Sequence, residues 1–338
     1  MNKYTRDSIV IRVETKYLYK GEQIMKKKSL VILLALAMIF TFALSACGGG
    51  GSEEPAADSG SSDPAAAAYD KILEGLNSEA VDTDEEIVVA MSPDFAPMEF
   101  VDLSRSGDDQ YVGYDVLLAK YIANHLGKKL VIKPMSFDAV MTAVQTGNAD
   151  LGISGFSWTA ERAENYFISD WYEAGENETE QVVITTAEND GKLTAAENYA
   201  GLKVGAQGGS LQELLVKEQL PDAECVLMTD LNDLCTALLT GKIDALAVAQ
   251  GNGESFISAN DGKLVASGFQ FEIDEKYKNN VVLINKDNTE LGEQVNEVIA
   301  QQKKDGVADA WYDAAQMLGN IKTIDELGYD DQGNKITE

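Results

Sequence analysis

Arginine is scarce downstream of Cys47, where only Arg105 and Arg162 remain and lysine supplies the rest of the fixed positive charge. Arg162 closes the segment SGFSWTAER, directly after a strand-like ADLGIS, with Ser154, Gly155, Phe156, Ser157 and Thr159 just ahead of it. A planar guanidinium beside several hydroxyls is the chemistry of a carboxylate receptor: the arginine pairs bidentately and the hydroxyls serve the remaining lone pairs. The same spacing suits an ordinary helix-surface arginine paired with Glu161 or Glu164, and spacing alone leaves both readings open. A second stretch, GAQGGSLQELL, sets Gly208, Gly209 and Ser210 at a strand-to-helix turn. Free backbone N–H groups and the helix dipole favour an anion there, although such turns are equally often structural.

Other chemistries find less material. The single histidine, His125, sits in YIANHLG at a helix end, a capping position, and no metal-ligand motif or cofactor-binding fingerprint accompanies it. No serine or cysteine near Arg162 has an evident activating base. Cys225 falls in a strand-like ECVLM and Cys235 in a helix-like DLCTALLTG. Two buried thiols are expected, because bridge geometry between a strand and its following helix is restrictive.

The N-terminal part reads as an export segment. Lys26, Lys27 and Lys28 precede an apolar run from Leu30 to Leu44, shorter than the roughly 20 residues that span a bilayer and fitting a signal-peptide core. The run ends in Leu44, Ser45, Ala46 and Cys47, which resembles the lipobox of bacterial lipoproteins. Cleavage is therefore expected before Cys47, with residues 25–46 as signal peptide and Cys47 as the lipid attachment site on the outer face of the cell membrane. Two acyl chains make such an anchor stable. Residues 1–24 precede this pattern, and the basic region beginning at Met25 predicts that translation starts there. Gly48 to Ala68 is low in complexity and reads as a spacer with a reach on the order of 25 Å; residues 47–84 together read as anchor and flexible linker with a short helical segment.

The chain carries a formal charge of −29 from 56 acidic and 27 basic residues. Eight basic and three acidic residues precede Cys47, so 19 and 53 remain downstream, a charge of −34. Such a surface repels phosphate backbones, which argues against nucleic acid as a partner.

From about Glu85 to Leu318 short apolar strands alternate with amphipathic helices, the pattern of an α/β fold. Strands are predicted at 87–91, 130–134, 150–154, 181–185, 203–206, 225–228, 244–248 and 281–285. Capping boxes are predicted at Thr194 with Glu197 and at Ser210 with Glu213. TAVQTGNADLGIS at 142–154 matches TALLTGKIDALAV at 236–248 in five of 13 positions. Each copy is a helix stopped by glycine and followed by a strand, either a chance product of common turn residues or the mark of two similar lobes. In open α/β sheets ligands sit beyond the carboxyl ends of strands. Two lobes would thus turn Ser154 and Gly155 on one side, and Val248, Ala249 and Gln250 on the other, toward a shared cleft.

Over Ile87 to Tyr312 the chain resembles the family 3 extracellular solute-binding proteins, the polar amino-acid receptors of ABC importers. The resemblance is carried by SPDFAPMEF (92–100), VGYDVLLAKYIANHLG (112–127), ADLGISGFSWTAER (149–162), FISDWY (167–172), LKVGAQGGS (202–210), GKIDALAV (241–248) and DGVADAWYD (305–313). It implies a type II periplasmic-binding-protein-like fold, two α/β lobes joined by two hinge strands near Gln181–Ile184 and Val281–Asn285. Lobe one would comprise 85–181 and 282–318, lobe two 182–281, and 319–338 a tail without assignment. It implies further that Arg162, Ser157 and the Gly155 backbone hold a ligand carboxylate, that Phe95 packs on the ligand, and that Ser210, beside Gly209, donates from lobe two.

Two positions depart from the family pattern. Ala249, next to Gln250, stands where lobe two usually offers aspartate, and Ser92 where lobe one often has an acid. An ammonium in a closed cleft would then need Glu99, Glu173 or Glu254 as counter-ion, or the ligand is not an ordinary α-amino acid. The function implied is capture of an amino acid or related carboxylate by a lipid-anchored monomer that delivers it to an ABC permease and is not an enzyme. Alternatives are sensing for a membrane signalling partner, or the dehydratase or lyase chemistry that some proteins of this fold perform.

Overall fold

The computed structural model describes residues 63–172 and 180–336; the export segment, Cys47 and Glu173 lie outside them. Among the described residues no helix is long and apolar enough to cross a membrane.

The first element stands ahead of the predicted globular start. Helix α1 (Pro64–Ser78) takes in the alanine run that the sequence suggested as the end of a spacer. Its sequence explains the difference, since alanine is the best helix former, Pro64 occupies N1, and the Asp63 carboxylate caps the Ala65 N–H at 3.1 Å. Burial of Tyr69 docks it: the phenol donates to Gly113 O at 3.0 Å and accepts from Gly113 N at 2.8 Å. Gly113 needs to be glycine there, with φ 120° and room for a Cβ only 2.3 Å from Met98 O.

The chain then builds lobe one from β1 (Glu86–Met91), a three-stranded flap of β2 (Asp94–Phe95), β3 (Glu99–Val101) and β4 (Tyr111–Val112), α2 (Tyr114–His125), β5 (Lys129–Pro134), α3 (Phe137–Gln145), β6 (Leu151–Gly152), α4 (Ala160–Asn165) and β7 (Tyr166–Ile168). It crosses to lobe two for β8 (Gln181–Thr186), β9 (Lys203–Gln207), α5 (Leu211–Gln219), β10 (Glu224–Met228), α6 (Leu231–Leu239), β11 (Ala245–Ala249), α7 (Gln250–Ala259) and β12 (Leu264–Gln270). It returns as β13 (Leu283–Asn285), α8 (Thr289–Asp305), α9 (Ala308–Leu318) and α10 (Ile324–Leu327).

The sheets have matching topology, β5-β1-β6-β13-β7 and β10-β9-β11-β8-β12. In each, three parallel strands are completed by antiparallel ones: β13 against β6 and β7, and β8 against β11 and β12. The repeat seen in the sequence thus falls on α3–β6 and α6–β11, equivalent units of two lobes. Alternation within strands buries both faces. In β1, Ile87, Val89 and Met91 join the core under α2, α8 and α9, while Val88 and Ala90 face α3. In lobe two, Val183, Val204 and Ala245 pack under α5, and Ile184, Leu246 and Val248 under α6 and α7. Cys225 belongs to the first of these faces and Cys235 to the second, and both are free thiols.

One predicted capping box does not form. At Ala196–Tyr199 the Asn198 Oδ1, not Glu197, accepts the N–H groups of Thr194 and Ala195. Ser210 does cap α5 by accepting Glu213 N at 3.2 Å, while Glu213 reaches back one residue further, to Gly209 N at 2.7 Å. The tail beyond Leu318 folds back on α1, with Tyr329 buried and Lys71 donating to Gln332 O at 2.5 Å and Asn334 Oδ1 at 2.6 Å.

Candidate functional site

The cleft between the sheets is walled on the lobe-one side by Phe95, Phe137, Ser154, Gly155, Ser157 and Arg162. Arg162 stands in the first turn and a half of α4, whose N-cap Thr159 accepts the Arg162 N–H at 3.1 Å. It is 4% exposed, and its guanidinium lies over the rings of Phe156 (5.0 Å) and Phe137 (5.6 Å), a favourable cation–π setting. Nη1 donates to Ser157 O at 2.6 Å and Nη2 crosses the cleft to Gly209 O at 2.9 Å. No carboxylate among the described residues forms an ion pair with it, and Glu161 and Glu164 are exposed. Burial lowers its pKa to about 10, so it stays charged at neutral pH, a buried cation facing two carbonyls and an open lining. The surface-arginine alternative therefore does not hold.

Behind this wall lies a cluster of acids. Ser154 Oγ donates to Glu99 Oε1 at 2.5 Å and accepts from Ser92 N at 3.0 Å. Asp115 Oδ2 accepts Gly155 N at 2.7 Å, and the Tyr172 hydroxyl donates to the same carboxylate at 2.9 Å. Glu99 and Asp115 are both fully buried, and Glu99 Oε2 has no hydrogen-bond partner among the described residues. Desolvation first, then the Asp115 charge, pushes Glu99 well above the usual carboxylate range, whereas Asp115 rises only to about 6, because Gly155 and Tyr172 donate to it. Of the two, Glu99 is the acid whose protonated form burial favours more.

The lobe-two wall is made where strands give way to helices: Gln207 at the end of β9, Ser210 and Leu211 opening α5, Leu231 opening α6, and Val248, Ala249 and Asn252 at the β11–α7 junction. Gln181 and Asn280, at the two crossings between lobes, complete the lining with Gln212. The walls are latched. Asp94 Oδ2 accepts Leu231 N at 2.8 Å and Gln207 Nε2 at 3.1 Å from lobe two, and its Oδ1 accepts Ser92 Oγ at 2.9 Å. Burial raises Asp94 to about 6 despite these donors. Asn252 Nδ2 reaches Ala96 O at 3.4 Å.

Of the residues read from the sequence, Phe95, Ser154, Gly155, Ser157, Arg162, Ser210 and Ala249 come together in this lining. Four do not. Ser92 lies behind it, held by Asp94. Phe156 is the ring under Arg162, buried against Phe137 at 4.7 Å. Gly209 offers its carbonyl to Arg162 and borders a neighbouring groove. Gln250 turns to Glu254 Oε1 at 2.8 Å. The Gly155 backbone, expected to hold a carboxylate, is instead spent on Asp115; its φ of 55° and the Phe95 ring, 2.5 Å from where a Cβ would stand, explain why glycine sits there. Sequence reasoning missed Phe137, Gln207, Leu231, Asn252 and Asn280. Gln207 ends a predicted strand and Asn252 lies one helical turn from Ala249, so the strand-end rule extended by a turn would have found both. Among the described residues no group of three or more histidine, cysteine, aspartate or glutamate side chains is placed to hold a metal ion.

Residues 87–314 match the model of the bacterial extracellular solute-binding proteins, family 3. The arginine-binding extracellular protein ArtP of Bacillus subtilis is 26% identical over 234 residues, 68% of this chain and 76% of its own. The ABC transporter glutamine-binding protein GlnH of the same species is 27% identical over 288 residues, covering 82% and 94%. Among solved structures, the amino acid ABC transporter substrate-binding protein AbpA of Streptococcus pneumoniae bound to L-arginine superposes with a TM-score of 0.63 at 32% identity, covering 74% of this chain and all of that one. The ancestral amino-acid-binding protein AncCDT-1, a precursor of cyclohexadienyl dehydratase, gives 0.57 at 27%, covering 72% and 97%. The two-lobed type II architecture is shared with these proteins, and the chain belongs to the bacterial extracellular solute-binding proteins, family 3.

Proposed function

We propose that the chain is the substrate-binding component of an ABC importer, a monomer tethered by lipid on Cys47, that captures an amino acid or related small carboxylate between its lobes and presents it to a permease. The observation that carries this is Arg162: a buried guanidinium without a carboxylate partner among the described residues, in the lobe-one wall and touching lobe two through Gly209 O. A ligand carboxylate there would be held bidentately, with Ser157 and the helix openings at Ser210 and Leu231 as further donors. Binding rather than catalysis is supported by the curated relatives, which are named as binding proteins. The relatives named for arginine and glutamine binding support a ligand of amino-acid size.

Calorimetry against an amino-acid and carboxylate panel tests this. Arg162→Ala should weaken binding by about a hundredfold or more, the scale of a lost charge-assisted pair; unchanged affinity would remove the assigned site. In the same preparation Cys47→Ala should leave the membrane fraction with its affinity intact.

A further inference from the structure

Resting on the proposed capture of a carboxylate at Arg162, a second atom in the cleft can recognise what that carboxylate is attached to. We propose that Asn252 receives the ammonium of an α-amino acid, and so sets the preference for amino acids over carboxylates that lack the amino group.

Asn252 lies in the first turn of α7, lines the lobe-two wall and is 1% exposed. Its Nδ2 donates to Ala96 O of lobe one at 3.4 Å, and this fixes the amide, since turned over it would set Oδ1 against a carbonyl. Oδ1 is left buried and without a hydrogen bond among the described residues. An acceptor in that state is costly until a donor arrives, and a ligand in the cleft is what brings one. A carboxylate has no N–H to offer, whereas the ammonium beside it has three. Phe95 links the two ends of the site: its ring lies against Gly155 on the carboxylate side, and the carbonyl of the next residue, Ala96, holds Asn252.

Glu99 Oε2 is a second buried acceptor without a partner among the described residues. Ser154, which lines the cleft, donates to the other oxygen of that carboxylate. Glu99 therefore acts on a ligand through Ser154, whereas Asn252 is itself part of the lining. Asn280 Nδ2 is the matching open donor, in a residue 6% exposed. Asn280 is bridged to Ser157, whose carbonyl holds Arg162 Nη1, so this donor belongs to the carboxylate end. The two amides divide the ligand between them. As a neutral acceptor at the opening of a helix, where the dipole is positive, Asn252 holds a cation less firmly than a carboxylate would.

The experiment titrates two amino acids and their des-amino counterparts, L-glutamine against glutaramate and L-arginine against 5-guanidinopentanoate. The protein is first freed of co-purified solute by unfolding in guanidinium and refolding. The tighter-binding amino acid should exceed its counterpart by about tenfold or more in the unaltered protein. Asn252→Leu should cut that ratio to about threefold or less, and Asn252→Asp should widen it. Loss of the Ala96 contact by itself would weaken both ligands together, so the ratio separates recognition from latching. Asn280→Leu should weaken both by a similar factor. A full ratio surviving in Asn252→Leu overturns the proposal, and a ratio lost in Glu99→Gln instead would give the ammonium to Glu99. Should Asn252→Leu not fold, Asn252→Asp decides, and an unchanged ratio there is equally contrary. A counterpart that binds the unaltered protein as tightly as its amino acid overturns the role of Asn252 while carboxylate capture stands. A blank with all four ligands overturns it as well, and a blank across the wider panel removes capture itself.

Discussion

The two walls of the cleft are built on opposite principles. Lobe one presents a charge and fixes it from behind: Arg162 rests on two rings, while Ser154 and Gly155 are pinned by Glu99 and Asp115. Lobe two presents strand ends and helix openings with no ionisable side chain in the described lining, and meets lobe one through the Leu231 N–H, the Gly209 carbonyl and the Gln207 amide. The division fits capture followed by closure: a preorganised charged wall takes the carboxylate, and dipoles that make contact only when the lobes meet bias the shut state. It also means that recognition and closure can be broken separately.

The largest expected effect comes from the acids behind the charged wall. Their native pKa values are raised, Glu99 well above its ordinary value and Asp115 and Asp94 to about 6. The folded state then binds more protons than the unfolded chain, so this contribution is full below the unfolded carboxylate range and is lost as pH rises through the folded values. Stability should therefore fall as pH rises through a window that opens at about 4, by up to about 1.4 kcal/mol per pH unit for each such group, with Asp115 and Asp94 adding no further slope above about 6 and Glu99 continuing beyond them. Glu99→Gln keeps the shape and removes one titration. Its unfolding free energy should depend less steeply on pH over that window by close to one proton, measured by urea unfolding at a series of pH values. Equal slopes in the two proteins would mean that Glu99 is not held protonated.

A smaller effect tests the geometry of the same wall. Gly155→Ala forces an L-residue to φ 55° and drives a methyl into the Phe95 ring. The strain should cost about 1–3 kcal/mol of stability, and displacement of Phe95 should weaken ligand binding by about tenfold or more. A variant with unchanged melting temperature and affinity would show that this backbone is free to relax and that the wall is not preorganised.

These walls differ in how well the sequence revealed them. The α/β class was legible because it rests on local signals, strand runs between amphipathic helices, whereas spacing and the repeat left the role of Arg162 and the two-lobed order open and the family resemblance supplied both. Asn252 and Asn280 were not legible, because a buried amide becomes informative only when its partners, or their absence, are known, and those lie in other segments. A short helical segment was expected within 47–84, but not that helix α1 begins in the alanine run read as spacer or docks on the fold, since that docking depends on Tyr69 meeting Gly113 44 residues away. The role expected of the Gly155 backbone failed for a related reason: Asp115, which takes that N–H, lies 40 residues away in VGYDVLL, where it reads as one polar residue in a helical pattern.

The smallest effect falls on the latch between the walls. Asp94 is the lobe-one acid whose partners Leu231 and Gln207 belong to lobe two, so opening the cleft returns it to water and to an ordinary carboxylate pKa. In the closed form burial outweighs those donors and the nearby Asp230 charge adds to it, raising Asp94 to about 6. The closed form thus binds the extra proton, and closure is favoured as pH falls through 6 toward the open-state value. Ligand affinity should rise several-fold between pH 7.5 and 5, less than tenfold because Asp94 is only partly protonated over much of that range. Asp94→Asn should hold the Leu231 N–H through its carbonyl oxygen and flatten this dependence, with Arg162 and Ser157 unchanged. Calorimetry at both pH values on both proteins measures it. An affinity that falls on acidification would show that the donors around Asp94 outweigh its burial, and a dependence that survives Asp94→Asn would move it to the acids behind the wall.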